Sequence, residues 1–452
     1  MPPEALFQTL QKHGKMKINI ARKGQLFLLI SFAGLILTGT GLLLLPGVLP
    51  EGRLAFIDAL FMACSAVCLN GLTTVPLTEF TFAGQLILLV LIQFGTLGIM
   101  TLSAMVLLVL GKGLSYSDTL MISTLNDRFT LRGTESLTRT VVHYTMTAEL
   151  LGVVLMFPGF LADGKGILYS LWYSLYFSVG SFCNAGMGPL PQSVAQLNPY
   201  VQTISMALMI LGGLGVYAVY DLIRYFQHKT LYLTLHTRIV LRMAGILIVS
   251  GALLLWMLSH TDSETATLGL FDSLYLSVSG RTTGYSTVDP GSLSGPCQIL
   301  LIVLMLIGAA PGSAAGGMKT TTLAVVIAAL SASFRGDNNV IISKRTIDLR
   351  TVLRAFTVMV LFILLTWTGT VILKSLTPEL SSLSCFFESA SALSATGLST
   401  GNTTLEWGSG AKLLLILFMF AGRIGPVTII LFFVGKEKKE CLRYPEERVI
   451  VG

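Results

Sequence analysis

The hydrophobic residues of this chain lie in long apolar runs that short polar segments separate. Eight runs are long enough to cross a membrane as helices, since about 20 helical residues span its hydrocarbon core. They form four pairs: 26–45 with 84–110, 141–161 with 201–225, 239–258 with 299–330, and 352–373 with 413–433. Between the two runs of each pair lies a shorter, half-apolar stretch, at 56–67, 168–182, 270–279 and 383–393. The pattern predicts an all-α polytopic membrane protein.

A polar loop follows each short stretch. Glycines recur at two corresponding positions in each of the four segments, and we call these positions the first and second landmarks. The first landmarks are Gly71, Gly186, Gly284 and Gly397. The second landmarks, 24 to 26 residues later, are Gly95–Gly98, Gly212–Gly215, Gly308–Pro311 and Gly422–Gly425. Repetition at a fixed spacing indicates tandem copies of one unit. We predict four copies of helix, short re-entrant helix, loop and helix, in pseudo-fourfold arrangement around one pore.

The predicted boundaries follow the apolar runs and the charge pattern. The four units are predicted at 26–110, 141–226, 236–331 and 350–434, with terminal segments at 1–25 and 435–452. Basic residues cluster at 12–23, 112–139, 224–242, 335–354 and 436–448, whereas the intervening loops carry acids. The positive-inside rule therefore predicts that both termini are cytoplasmic. The net charge of +7 is explained by this topology, so no nucleic-acid partner is expected.

Other classes of protein find little support in the sequence. The six cysteines show neither metal-site spacing nor a disulfide pattern, and we interpret them as packing residues or free thiols. The first apolar run lacks a small-residue cleavage site, so we interpret it as a retained helix. Ser313 would suit an intramembrane serine protease, but His143 and His260 lie near opposite membrane surfaces. No enzymatic activity and no covalently bound cofactor are expected.

The four loops have the composition of a cation path. Short helices that enter from outside direct their partially negative C-terminal ends towards the middle of the membrane. Glycine lets successive carbonyl groups face one ion, and Thr282–Tyr285 resembles in kind the loops of potassium channels. No loop carries an acidic side chain, which favours K⁺, with Rb⁺ or Na⁺ as alternatives. A secondary transporter with broken helices is the main rival, but it predicts two inverted halves rather than four parallel copies.

These loops, with Gly280–Gly284 and Ala421–Pro426, resemble the Trk/Ktr/HKT superfamily of potassium transporters, specifically the bacterial ion-translocating membrane subunit of the Ktr type. The resemblance covers about residues 26–433 and implies that the four first-landmark glycines line a selectivity filter. Relatives that admit Na⁺ often carry serine at the first glycine, so Gly71 favours K⁺, whereas Asn70 departs from the expected threonine. The predicted filter comprises Val67, Cys68, Leu69, Asn70, Gly71, Cys183, Asn184, Ala185, Gly186, Arg281, Thr282, Thr283, Gly284, Ser394, Ala395, Thr396 and Gly397.

A break in the third unit and an intramembrane arginine suggest a gate. Proline removes a helix donor within the glycine-rich run 308–317; the alternative is a packed kink of small residues. Arg423 lies in an apolar run, where a charge requires water or a partner. The resemblance implies that its side chain is an electrostatic barrier in the pore. The alternative is a structural ion pair with Glu149 or Glu388. The predicted gate comprises Gly308, Pro311, Gly312, Ser313, Gly316, Gly317, Lys319 and Arg423.

The resemblance also implies partners and a location. We expect a homodimer in the plasma membrane, the inner membrane of a bacterium, with one pore per protomer in the lipid bilayer. A cytoplasmic ring of nucleotide-binding subunits is expected to regulate it, with ATP, ADP or NAD bound only by that partner. K⁺ is expected as the transported ion and Na⁺ is a candidate activator. The basic loops and the tail 436–448 are candidate docking surfaces, although positive-inside topology explains them equally well.

Overall fold

A computed structural model describes residues 29–50, 52–109, 134–164, 166–189, 194–227, 232–261, 265–337, 339–401 and 407–425. The predicted terminal segments, Cys441 and the end of the fourth predicted unit lie outside the described residues. So does most of the basic cluster at 112–139.

The described chain is predominantly helical, and its elements are grouped here by the four predicted units. The first two units contain α1 (Leu29–Leu43), α2 (Phe56–Cys68), α3 (Phe82–Val109), α4 (Thr134–Ala162), α5 (Ile167–Phe182), α6 (Pro199–Gly213) and α7 (Val216–Phe226). The others contain α8 (Leu235–Ser259), α9 (Leu270–Ser279), α10 (Gly295–Ile307), α11 (Thr320–Phe334), α12 (Leu349–Leu376), α13 (Ser382–Ser394) and α14 (Ser409–Ile424). An antiparallel hairpin, β1 (Val340–Ile342) and β2 (Arg345–Ile347), joins α11 to α12.

Within the described ranges, three helices are individually long and apolar enough to cross a membrane: Val141–Ala162 of α4, α8 and α12. The pair α6 and α7 qualifies as a fourth span if it is counted as one bent element. The outer faces of these helices are apolar, as Val154 and Val371 illustrate at 67% and 65% exposure. A soluble monomer rarely exposes such continuous apolar surface, so these faces suit contact with lipid.

The last helix of each of the first three units is interrupted at its glycine landmark, and α14 ends at the fourth landmark. Helical geometry fails at Gly98, where φ is 65°, and α14 ends at Gly425, where φ is 92°. The run 201–225, which we expected to be one continuous span, instead bends by 96° between α6 and α7. The cause is local, because Gly215 adopts φ of 78°, a conformation that glycine accepts without steric penalty.

Contacts between units follow a cyclic order. The last helix of each unit packs on the short helix of the next: α3 on α5, α6 on α9, and α10 on α13. The fourth unit returns to the first, because α14 packs on α2. The short helices lie at the centre, and Phe61, Tyr176, Tyr275 and Phe387 on them are fully buried. The loops at the ends of these helices are therefore brought together.

Candidate functional site

The four first-landmark glycines meet in the same cyclic order as the helices. A Cβ added to Gly71 would lie 2.9 Å from the carbonyl oxygen of Ala185 in the second loop. A Cβ on Gly186 would overlap the Thr283 carbonyl, and one on Gly284 would overlap the Thr396 carbonyl. The cycle closes because a Cβ on Gly397 would overlap the Asn70 carbonyl. Backbone from four loops therefore converges at one place, where a side chain at Gly186, Gly284 or Gly397 would overlap a carbonyl and one at Gly71 would force a small shift.

The backbone of three loops follows one pattern. The residue two positions before the glycine adopts a left-handed conformation, as Leu69, Asn184 and Ala395 do, with φ of 55°, 54° and 52°. The next amide then donates to the carbonyl five residues back: Asn70 to Ser65, Ala185 to Gly180, and Thr396 to Ser391, at 2.9 to 3.1 Å. Non-glycine residues in this conformation are uncommon and frequently mark functional loops.

The third loop reaches its glycine by another route. The amides of Thr283 and Gly284 both donate to the Ser279 carbonyl, at 2.8 and 3.2 Å. The Ser279 hydroxyl donates to the carbonyl of Tyr285 on the far side of the glycine. Positive φ in this loop is confined to Gly284, at 84°. Hydrogen bonds to Ser279 thus hold the backbone of the third loop on both sides of Gly284.

Polar side chains of the loops bind neighbouring units. The Asn70 amide donates to the carbonyls of Ser391 and Ala392 in the fourth unit, at 3.1 and 3.0 Å. Between the second and third units, the Thr283 hydroxyl donates to Asn184 Oδ1 at 2.6 Å. These side chains are fully buried, and their hydrogen bonds link neighbouring loops. Asn70, which departed from the expected threonine, therefore has a structural role.

Tyr285 is a residue of this site that the sequence prediction left out. Its hydroxyl donates to the Met187 carbonyl at 2.5 Å, which adds a second tie between the second and third loops. The side chain is almost fully buried and packs against Phe177 of the second short helix. The sequence did offer a signal, because Tyr285 ends the Thr282–Tyr285 stretch that resembles the loops of potassium channels.

Two buried carboxylates form hydrogen bonds with residues in or next to the loops. Glu149 in α4 accepts from Gln93 at 3.0 Å and from the thiol of Cys183 at 3.4 Å. Glu388 in α13 is fully buried and accepts from Thr400 beyond the fourth glycine, with the amide at 2.8 Å. Neither residue replaces a loop carbonyl. The loops therefore offer backbone oxygen rather than carboxylate oxygen to a ligand.

The predicted gate residues other than Arg423 lie together between α10 and α11. The chain leaves α10 at Gly308 and turns back, so that a Cβ on Gly317 would lie 3.1 Å from the Gly308 Cα. A Cβ on Gly316 would lie 2.6 Å from the Ala395 Cβ, which places this stretch against the fourth loop. The Lys319 ammonium donates to the Ala315 carbonyl at 2.6 Å. Residues 308–319 are named the break segment below.

The break segment is held by other units. The Ala310 amide donates to the Gly213 carbonyl, and the Val216 amide donates to the Gly312 carbonyl, each at 3.1 Å. Pro311 and Ser313 flank Gly312 in the sequence. The Ser313 hydroxyl donates to the Ala310 carbonyl at 2.6 Å and so closes a turn within the segment. The second unit therefore supports the segment at the place where its own last helix bends.

Arg423 bridges the break segment to the first unit. Its guanidinium donates to the Ala314 carbonyl through Nη1 and to the Gly95 carbonyl through Nη2, the latter at 2.8 Å. Glu149 and Glu388, which we considered as ion-pair partners, lie in the separate contacts described above. Arg423 thus satisfies its donors with backbone oxygens, and its positive charge stays uncompensated by these contacts.

A polar residue also recurs ten residues before each second landmark, and it was not among the predicted site residues. Gln85, Gln202 and Gln298 each donate to two carbonyls in the connection that precedes their own helix, at 2.8 to 3.4 Å. These bonds hold the short 3-10 turns Leu77–Glu79, Val194–Gln196 and Pro290–Ser292. In the fourth unit the position is Lys412, which donates to Asp58 at 2.7 Å. The glycine register would have revealed this series.

Comparisons with known proteins agree with the geometry. A family described as "TrkH: Cation transport protein" matches residues 6–442. The Ktr system potassium uptake protein B of Vibrio alginolyticus is 32% identical over 433 residues, which cover 94% of each chain. The protein of the same name from Bacillus subtilis is 31% identical and covers 94% of this chain and 96% of its own. The potassium/sodium uptake protein NtpJ of Enterococcus hirae is 32% identical and covers 92% and 95%.

A solved structure supports the fold independently. The potassium transporter TrkH from Vibrio parahaemolyticus matches 90% of this chain and 84% of its own with a TM-score of 0.70. At 18% identity this likeness concerns the fold alone. The family match covers nearly the whole sequence, which confirms the resemblance that the loops suggested. The chain therefore belongs to the TrkH family of cation transport proteins.

Proposed function

We propose that the chain carries K⁺ across a membrane through a pore whose narrowest part is lined by backbone carbonyls of the four glycine loops. The main support is that Gly71, Gly186, Gly284 and Gly397 each approach the backbone of a neighbouring loop, in an order that closes from the fourth loop to the first. Carbonyls arranged around one axis can replace the hydration shell of a cation. The short helices end at these loops, so the negative ends of their dipoles favour a cation at the same place.

K⁺ is proposed as the main cargo on chemical grounds. The loops contain no carboxylate, which suits a weakly hydrated monovalent ion better than a divalent one. Two similar proteins are named as potassium uptake proteins, which supports the same choice. A third is named as a potassium/sodium uptake protein, so Na⁺ is the second candidate as cargo or activator.

The break segment is proposed as the gate. Its support is its position against the fourth loop and its hydrogen bonds to Gly213 of the second unit and Arg423 of the fourth; Arg423 in turn donates to Gly95 of the first unit. A segment without helical hydrogen bonds can change conformation at lower cost than a continuous helix. Arg423 would add an electrostatic barrier, because a fixed positive charge beside the path repels a cation.

Regulation and assembly are proposed from the relatives. Two of them are named as components of Ktr systems, which supports a separate regulatory subunit for this chain. We propose that this partner is a cytoplasmic ring that binds ATP, ADP or NAD. The membrane subunit is proposed to be a homodimer in the plasma membrane with both termini in the cytoplasm.

The decisive experiment is K⁺ uptake in cells that lack their own potassium uptake systems, measured with and without Na⁺. Gly71→Ser is expected to lower the K⁺/Na⁺ selectivity about tenfold, equivalent to about 1.4 kcal/mol. Gly164→Ser is the matched control, because Gly164 also has positive φ, at 72°, but has open space around it. Unchanged selectivity in Gly71→Ser would remove this position from the filter. Uptake obligatorily coupled to a second ion would favour a secondary transporter.

A further inference from the structure

Arg281 is a buried cation, and some of its hydrogen-bond donors have no partner among the described residues. The residue follows α9 in the third loop, and its side chain is 4% exposed. Its Nε and Nη1 atoms have no hydrogen-bond partner among the described residues. Arg423 and Lys319, in contrast, donate to backbone carbonyls. A buried guanidinium requires both hydrogen-bond acceptors and a compensating charge.

A cavity lies beside this guanidinium. Arg281 and Thr320 line it together with small or apolar residues, among them Gly213, Val240 and Ala310. Its volume of about 10 Å³ is room for roughly one water-sized particle. The Thr320 hydroxyl is also buried, at 1% exposure, and has no partner among the described residues. Two residues with unpartnered donor groups therefore line one small space.

The N-terminus of α11 contributes further positive potential. Thr320 is the first residue of this 15-residue helix. The N-terminal end of a helix carries partial positive charge and favours anions. The cavity is thus lined by a guanidinium, a hydroxyl donor and a helix start, whereas no residue that lines it carries a carboxylate.

We propose that this cavity binds one monatomic monovalent anion, with chloride as the physiological form. A water molecule could satisfy the donors but would leave the charge of Arg281 uncompensated. The buried carboxylates of the second unit are engaged elsewhere: Glu149 accepts from Gln93, and Asp221 accepts from the Thr234 amide at 2.8 Å. Phosphate and carboxylate ligands are too large for the volume. The anion would lie between the third loop and the break segment.

The test uses the purified full-length protein at fixed K⁺ concentration and ionic strength. A ligand that binds only the folded state raises the unfolding temperature. Replacement of gluconate by chloride or bromide is expected to raise it in a saturable manner. Bromide-soaked crystals are expected to show an anomalous scattering peak beside Arg281. Because no transport is measured, the result does not depend on the proposed function.

Two variants and one control separate this site from general salt effects. Arg281→Gln is expected to abolish the anion response. Thr320→Val retains the charge and is expected to raise the bromide concentration for half-maximal effect about tenfold; it also decides the question if Arg281→Gln does not fold. Arg350→Gln removes an exposed arginine and should respond like the unaltered protein. An unaltered protein without anion dependence and without a peak at Arg281 would identify the occupant as water and overturn the proposal.

Discussion

Lys412 in α14 donates to Asp58 in α2 at 2.7 Å, and both side chains are almost completely buried. The two residues are 354 positions apart, and their contact joins the fourth unit to the first. The other three units have glutamine where the fourth has Lys412, and each glutamine binds its own unit. An ion pair thus lies where the cyclic order of contacts closes.

Removal of one partner of this ion pair is predicted to be strongly destabilising. Lys412→Ala leaves the Asp58 carboxylate buried without its cation, which costs about 3–5 kcal/mol of unfolding free energy. The double variant Lys412→Gln/Asp58→Asn removes both charges while retaining hydrogen-bonding groups, so it is expected to recover most of the loss. Thermal unfolding of the purified protein measures both changes.

The control for this prediction is an exposed ion pair of the same chain. Arg335 and Asp337 lie 3.5 Å apart with side chains 68% and 54% exposed. Exposed pairs contribute about 0–1 kcal/mol, so Asp337→Asn should unfold within that range of the parent. If Lys412→Ala is no worse than Asp337→Asn, the pair does not stabilise the closure.

Residues that repeat in register could be predicted from the sequence, whereas single contacts between distant segments could not. The four loop glycines were visible because two landmarks recur at nearly constant spacing, and the interruption after Gly308 was visible because Pro311 lies in a glycine-rich run. The bends at Gly98 and Gly215 were not, since small residues in an apolar run fit close helix packing equally well, even where they recur in register. The carbonyl partners of Arg423 lie far away in the chain and depend on the assembled core.

Loss of a repeated glutamine is predicted to loosen the connection before its helix. Gln202 is buried and donates to the carbonyls of Val194 and Leu197, at 2.8 and 3.1 Å. Gln202→Ala leaves these acceptors without this donor, which costs about 1–3 kcal/mol of unfolding free energy. Urea or thermal unfolding measures the loss, and hydrogen exchange at 194–198 should accelerate. Gln227→Ala, at an exposed helix end, is the control and should have little effect.

A methyl group at the fourth loop glycine is predicted to abolish K⁺ uptake. Gly397 has φ of 85°, and its added Cβ would lie 2.7 Å from the Gly71 Cα and overlap the Asn70 carbonyl. Gly401→Ala carries similar backbone strain, with φ of 80°, but its Cβ meets no atom within 4 Å. Uptake assays at equal membrane expression should therefore separate the two. Equal activity would show that the loops tolerate displacement at Gly397.

Shortening of the break segment is predicted to raise K⁺ flux. Deletion of residues 310–316 removes the contact of Gly316 with the fourth loop and the bond from Ala310 to Gly213. If this segment obstructs the path, flux should increase severalfold in protein that is folded and inserted to the normal level. Unchanged or abolished flux in such protein would favour a purely structural kink.

Arg423→Ala is predicted to increase K⁺ flux, because it removes the positive charge and both carbonyl contacts that tie the break segment to the first unit. Arg423→Lys retains the charge but cannot present the planar fork that reaches Ala314 and Gly95 together, so it separates the electrostatic contribution from the tie. If the charge is the barrier, Arg423→Lys should transport at the parental rate. If the tie dominates, both variants should show raised flux. Parental kinetics in Arg423→Ala, measured by uptake at several K⁺ concentrations, would confine Arg423 to a structural role.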